Sequence, residues 1–133
     1  MNIKRYILAG LAVFASLQAM DFLQHGVILA KTYQELKHLW RPDMMSLMWV
    51  MYLSSLVMSF AFAGLYVRGY RGGGIRDGLV FGFLIGLFIN VMGMFGQYAM
   101  YPLPFSLTLL WFVFGMIEFL VAGAVVALVY RED

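Results

Sequence analysis

Taken as a string of apolar and polar positions, the chain consists of four long apolar runs separated by three breaks. The runs cover about residues 5–25, 44–67, 77–101 and 105–130. Each has the length a helix needs to cross a hydrocarbon core of about 30 Å at about 1.5 Å per residue. Strands are not expected, because an open sheet edge in hydrocarbon leaves backbone N–H and C=O groups without partners. The pattern predicts an all-α fold, a transmembrane four-helix bundle forming a single integral membrane domain over residues 1–133.

The breaks differ in chemistry. GYRGGGIRDG (69–78) reads as a glycine-rich turn. It has no Walker Lys-Ser/Thr pair and no preceding strand, so a phosphate cradle is not expected there. Pro102 and Pro104 separate the last two runs. The segment HGVILAKTYQELKHLWRPDM (25–44) places Val27, Leu29 or Ala30, Tyr33, Leu36, Leu39 and Trp40 at near-helical spacing, with Lys31, Gln34, Glu35, Lys37 and His38 between them. This predicts an amphipathic interfacial helix between helices 1 and 2, with Trp40 at headgroup level and Pro42–Asp43 punctuating entry into the second span. The first run, preceded by Lys4 and Arg5, has the look of a signal peptide. Cleavage after Ala19 would put Leu17 where a small residue is required, so the segment is expected to be kept as a helix.

Composition narrows the class. The chain is 63% hydrophobic and 12% charged with mean hydropathy +0.84, against about 25% charged for soluble domains. No soluble catalytic or nucleotide-binding domain fits beside four spans. With no cysteine, disulfides, thiolate metal sites, iron–sulfur clusters and a cysteine nucleophile are excluded. Nucleic acid is not an expected partner despite a pI near 9, because the net charge is only +2 and the basic residues flank the apolar runs. Lys4, Arg5, Arg68, Arg71, Arg76 and Arg131 fall on one side, against Lys31, Lys37 and Arg41 on the other. By the positive-inside rule both termini are expected in the cytoplasm.

Small residues form stripes. Gly78, Gly82 and Gly86 recur every four residues, continued by Asn90 and then Gly93. Such spacing lets helix backbones approach closely in lipid, where packing drives association. Ser55, Ser59 and Ala63 on the second helix offer a complementary face, and Trp111, Gly115, Glu118 and Ala122 lie along one side of the fourth. With alternating helix directions, Gln18, Ser55, Asn90 and Glu118 come to similar depth, a candidate midplane polar layer.

Glu118 is the ionisable member of that layer. A central charged side chain costs roughly 2.5–3.5 kcal/mol on insertion scales. A neutral Glu118 hydrogen-bonded to Asn90 or Ser55 avoids most of this. Three roles are open: polar glue between helices, a proton, cation or solute site, or contact with a partner subunit. Asp21 and His25, at i and i+4, form an outer-end cluster that reads as an ion pair near the headgroups. A metal there would need further ligands, His38 among them. Haem between His25 and His38 is disfavoured by their position at the membrane edge. Met44, Met48 and Met51, with Met58 further along, suit Cu(I) chemically, but methionines also at Met92, Met94, Met100 and Met116 favour core filling. The cofactor is left unknown. Neither a Ser-His-Asp set nor zincin spacing is present.

The order of features resembles that of small four-helix bacterial membrane proteins classed as domains of unknown function. The likeness rests on DFLQHGVILAK, LWRPDM, GLVFGFLIGLFIN and LVAGAVVALVY. It implies a bacterial four-helix membrane protein and no particular substrate. The expectation is therefore a non-enzymatic protein of the bacterial inner membrane, in contact with lipid. It would act as a packing or accessory subunit in a homo-oligomer or with other membrane subunits. The alternatives are a small proton, cation or solute transporter using Glu118 and Asn90, or a protein binding a ligand or cofactor between its helices.

Overall fold

The computed structural model describes residues Met1–Glu132. Helix α1 (Ile3–Asp21) runs without a break into a π-helical segment, Phe22–Ile28. The short α2 (Ala30–Glu35) and two 3-10 turns, Lys37–Leu39 and Met44–Leu47, lead into α3 (Met48–Arg68). Helices α4 (Gly74–Met100) and α5 (Phe105–Val129) complete the chain. No strand occurs among the described residues. Four segments, Ile3–Ile28, Met44–Arg68, Gly74–Met100 and Phe105–Val129, are long and apolar enough to cross a membrane, as a multi-pass membrane protein requires.

Local chemistry sets the helix ends. The Asn2 side chain accepts a hydrogen bond from the Arg5 backbone N–H at 3.1 Å, capping α1. The turn between α3 and α4 needs left-handed backbone at Gly72 (φ 78°) and Gly74 (φ 65°), which only glycine adopts without strain. The Asp77 carboxylate accepts from the Gly73 N–H at 3.0 Å and closes the first turn of α4. Pro102 and Pro104 confine the α4–α5 connection to extended backbone, and α5 starts directly after Pro104.

The tightest pairing joins α4 to α5. A Cβ added at Gly78 or Gly123 would overlap backbone of the opposite helix, and one at Gly82 would overlap the Phe119 carbonyl. The expected partner face on α3 lies elsewhere: Ser55 bonds Gln18 of α1, and the Tyr6 hydroxyl of α1 donates to the Phe60 carbonyl at 3.1 Å. The reason is that α5 carries its own small residues, Gly123 and Ala127, at the heights of Gly78 and Gly82, whereas α3 presents Phe62 and Tyr66 to α4. Those rings meet Phe81 at centroid distances of 4.8 and 5.5 Å. Gly93 is different again, with nothing within 4 Å of an added Cβ.

Helix α1 sits between α3 and α5. Its buried Ala9, Val13 and Leu17 form a core with Ala63, Phe119, Ala122 and Val126. At one end a clasp gathers both termini and the α3–α4 turn. The Asn2 backbone N–H donates to the Tyr130 hydroxyl at 3.2 Å, Tyr130 donates to the Glu132 carboxylate, and the Glu132 N–H donates to the Tyr70 hydroxyl at 3.3 Å. The Arg5 guanidinium adds a bond to the Arg131 carbonyl. At the other end, residues 25–44 do not form one amphipathic helix. Leu36 leaves helical backbone, Trp40 is extended, and only the six residues of α2 remain α-helical.

Candidate functional site

The α1–α5 seam carries the polar side chains of greatest chemical interest. Antiparallel packing brings Asp21, the last residue of α1, against Glu118, near the middle of α5, so that the two carboxyl groups face each other across the seam. Two facing carboxyls can hydrogen-bond to each other when one of them holds a proton. Placing both carboxylates charged side by side in lipid would add like-charge repulsion to the cost of burial.

The π-helical segment positions the rest. Its wider turn is closed by the Leu29 N–H donating to the Gln24 carbonyl at 2.8 Å. It turns Gln24 inward, where the side-chain amide lies 3.4 Å from the Phe114 carbonyl of α5. It also leaves His25 one turn above Asp21, with Nε2 at 3.8 Å from Oδ1. The other ring nitrogen of His25, Nδ1, is hydrogen-bonded to the Tyr33 hydroxyl of α2. That hydroxyl accepts from the Trp111 indole N–H at 2.7 Å, and the Trp40 indole donates to the Tyr33 carbonyl at 3.1 Å.

These bonds fix a direction. With the Trp111 N–H donating to the Tyr33 oxygen, the phenolic proton is free to be given to Nδ1 of His25. The neutral imidazole then carries its N–H on Nε2, facing Asp21. The series Trp111, Tyr33, His25, Asp21, Glu118 thus runs from the loop cap into the membrane-spanning region. Burial pushes the Tyr33 hydroxyl up to about 12, although the Trp111 hydrogen bond opposes the shift. Tyr33 therefore stays protonated and serves as a donor at ordinary pH.

Exposure along the seam is one-sided. The side chains of Asp21 and His25 are 41% and 44% exposed. Toward the end that carries the termini, the same seam is filled by Leu17, Val13 and Ala9 against Ala122 and Val126, each at most 2% exposed.

The expected midplane layer is divided in the structure. Gln18 and Ser55 pair at 2.8 Å across α1 and α3. Asn90 lies against Gly115 across α4 and α5, with its amide nitrogen buried and without a partner among the described residues. Glu118 joins neither and faces Asp21 instead. Asp21 lies about one turn beyond Gln18 on α1, and the first span continues past it as the π-helical segment to Ile28. His38 is not with Asp21 and His25; it lines a shallow surface cleft with Trp40, Arg41 and Met45. Among the described residues, no group of three His, Cys, Asp or Glu side chains is placed to hold a metal. The methionines divide, with Met44 before α3 and Met51 on it exposed, Met48 half-buried and Met58 packed against the core.

Tyr33 and Trp111 were visible in the sequence only as parts of other patterns. The signal available was spacing: Trp111 and Glu118 are seven residues apart, two turns along one helix face, as Asp21 and His25 are one turn apart. Comparison with known proteins finds no matching family model, no matching curated protein and no matching solved structure.

Proposed function

We propose that this is a non-enzymatic, multi-pass protein of the bacterial inner membrane, with both termini in the cytoplasm, that binds and releases a proton at the Asp21–Glu118 pair. The observation that supports this most is the facing carboxyl pair within the span, with His25 set between Asp21 and Tyr33 at the opposite end from the termini. Orientation rests on the clustering of Lys4, Arg5, Arg68, Arg71, Arg76 and Arg131 at the end that holds both termini. In that orientation the pair exchanges protons with the outer side through His25. The apolar seam below it favours binding over conduction through a single copy, so any net flux requires an oligomer or a partner. A small cation is the alternative occupant of the same oxygens.

The test is infrared difference spectroscopy of the full-length protein in phosphatidylcholine vesicles while outer pH is raised. A protonated-carboxyl band should disappear with pH, and should be missing from Glu118→Gln, which keeps hydrogen-bonding capacity but cannot titrate. A band that ignores pH, or survives unchanged in Glu118→Gln, overturns the reading. Proton flux in the same vesicles then separates a transporter from a binding subunit.

A second reading, a packing or accessory subunit of an oligomer or larger complex, is favoured by Gly93 and Gly96. Both leave open space on the outer half of α4, where another helix can approach closely. Gly93→Leu should then reduce the mass of the detergent-solubilised particle, while an unchanged mass would remove this reading. Ligand or cofactor binding between the helices draws no support from the seam, which side chains fill.

A further inference from the structure

At the end that gathers the termini, beside the Phe62–Phe81 contact, α3 and α4 line a cleft of about 270 Å³. Its floor is Tyr66 and Phe81, and its walls are Leu65, Val80 and Leu84. Each wall residue is more than half exposed, so the cleft opens sideways to the surrounding lipid. The Gly69 turn closes it, and Arg71 stands at its rim.

Two further cations adjoin lining residues along the chain. Arg68 ends α3 next to Gly69 and Arg76 lies in the first turn of α4 next to Asp77; both are exposed, as is Arg71. No described carboxylate forms an ion pair with any of them. The one acid lining the cleft, Asp77, is engaged with the Gly73 N–H. The N-terminus of the 27-residue α4 points the positive end of its dipole to the same place. The result is an apolar slot, lipid-facing along its length, with a mouth of net positive charge, three arginines against the single carboxylate of Asp77.

We infer that this cleft is a binding site for an anionic phospholipid of the adjacent leaflet. The phosphate is held by Arg68, Arg71 and Arg76, and an acyl chain lies along Leu65, Val80 and Leu84. The occupant follows from charge complementarity combined with the apolar walls. A soluble anion would satisfy the arginines and leave the walls uncovered, and a neutral lipid would do the reverse. Basic pockets between spanning helices select anionic headgroups for the same reason.

The experiment uses the full-length protein in neutral detergent and follows its thermal unfolding midpoint as lipid is added. Phosphatidylglycerol should raise the midpoint saturably, while phosphatidylcholine at equal concentration should not. At about 1 kcal/mol per surface cation, each arginine replaced by glutamine should weaken the apparent affinity about fivefold. Arg68→Gln with Arg71→Gln should therefore weaken it by about 25-fold. Lys37→Gln with Arg41→Gln, at the other end, should leave it unchanged. Val80→Trp, which fills the exposed slot without changing charge, should also weaken binding. Glycerol phosphate should neither stabilise the protein nor compete. Equal stabilisation by phosphatidylcholine, equal loss in the outer-end variant, unaltered binding in Val80→Trp, or full competition by glycerol phosphate would each overturn the assignment. All the substituted side chains are exposed, so helix content by circular dichroism should match the wild type.

Discussion

Gly82 and Gly93 lie on the same helix, and the structure predicts opposite consequences for one substitution at each. At Gly82 an alanine Cβ would overlap the Phe119 carbonyl oxygen and stand 3.1 Å from the Phe119 carbonyl carbon and 3.2 Å from the Gly123 Cα. These are backbone atoms of a helix and cannot rotate away. Ordinary carbon contacts need about 3.5–4.0 Å, so α4 and α5 must separate by on the order of 1 Å. A gap of that size forfeits about a quarter to a half of each dispersion contact along the seam. Overpacking of this kind costs about 1–3 kcal/mol, opposed by about 1 kcal/mol of helix propensity gained on replacing glycine. Gly82→Ala should therefore be destabilising by up to about 2 kcal/mol. At Gly93 nothing lies within 4 Å, so only the propensity term remains, and Gly93→Ala should be neutral or stabilising by up to about 1 kcal/mol. Reversible unfolding in mixed micelles, titrated with a denaturing detergent and followed by circular dichroism, measures both. Equal midpoints for the two variants, or greater damage at Gly93, would refute the close α4–α5 seam.

Further outcomes follow from named contacts. Burial favours the neutral Tyr33 hydroxyl in the folded state and raises it from 10.0 to about 12. Its contribution is thus full below pH 10 and is lost as pH climbs toward 12. The full shift would correspond to about 2.7 kcal/mol, reduced to about 1 kcal/mol because the ring is part-exposed and screened; comparing alkaline unfolding of wild type and Tyr33→Phe measures it, and parallel curves would contradict it. Gln18→Leu and Ser55→Ala should show a coupling of about 0.6 kcal/mol in a double-mutant cycle, the usual size for such bonds in lipid; strict additivity would mean the 2.8 Å bond is energetically silent. Tyr130→Phe should cost about 0.5–1.5 kcal/mol by removing the hydroxyl that Asn2 and Glu132 share, both of which are exposed and can turn to water. Protease cutting near the N-terminus should accelerate in that variant, and unchanged rates would place the clasp outside the folded unit.

The lengths and types of the spanning elements were legible in the sequence. Apolar runs the width of a bilayer admit little but helices, since backbone groups in hydrocarbon must be satisfied within the segment. The glycine stripe on α4 announced a close helix contact, and the GYRGGGIRDG turn announced itself through glycines that the structure uses at positive φ. Partner choice was not legible. Spacing marks a face as small without saying which helix meets it, so α3 was as good a partner for that stripe as α5 until Gly123 and Ala127 were placed opposite it. The polar groups followed the same rule. Gln18, Ser55, Asn90 and Glu118 share a similar depth by counting residues, yet rotation about each helix axis divides them among different interfaces. The seven-residue π-helical segment after Asp21 leaves no mark in periodicity, because it widens a single turn without interrupting the apolar run. It nonetheless sets the direction of Gln24 and His25. The sequence by itself determined that four helices are long and apolar enough to span a membrane and that a carboxylate lies inside one of them. Tertiary structure alone decided that it faces a second carboxyl, because only packing brings residues 97 positions apart together.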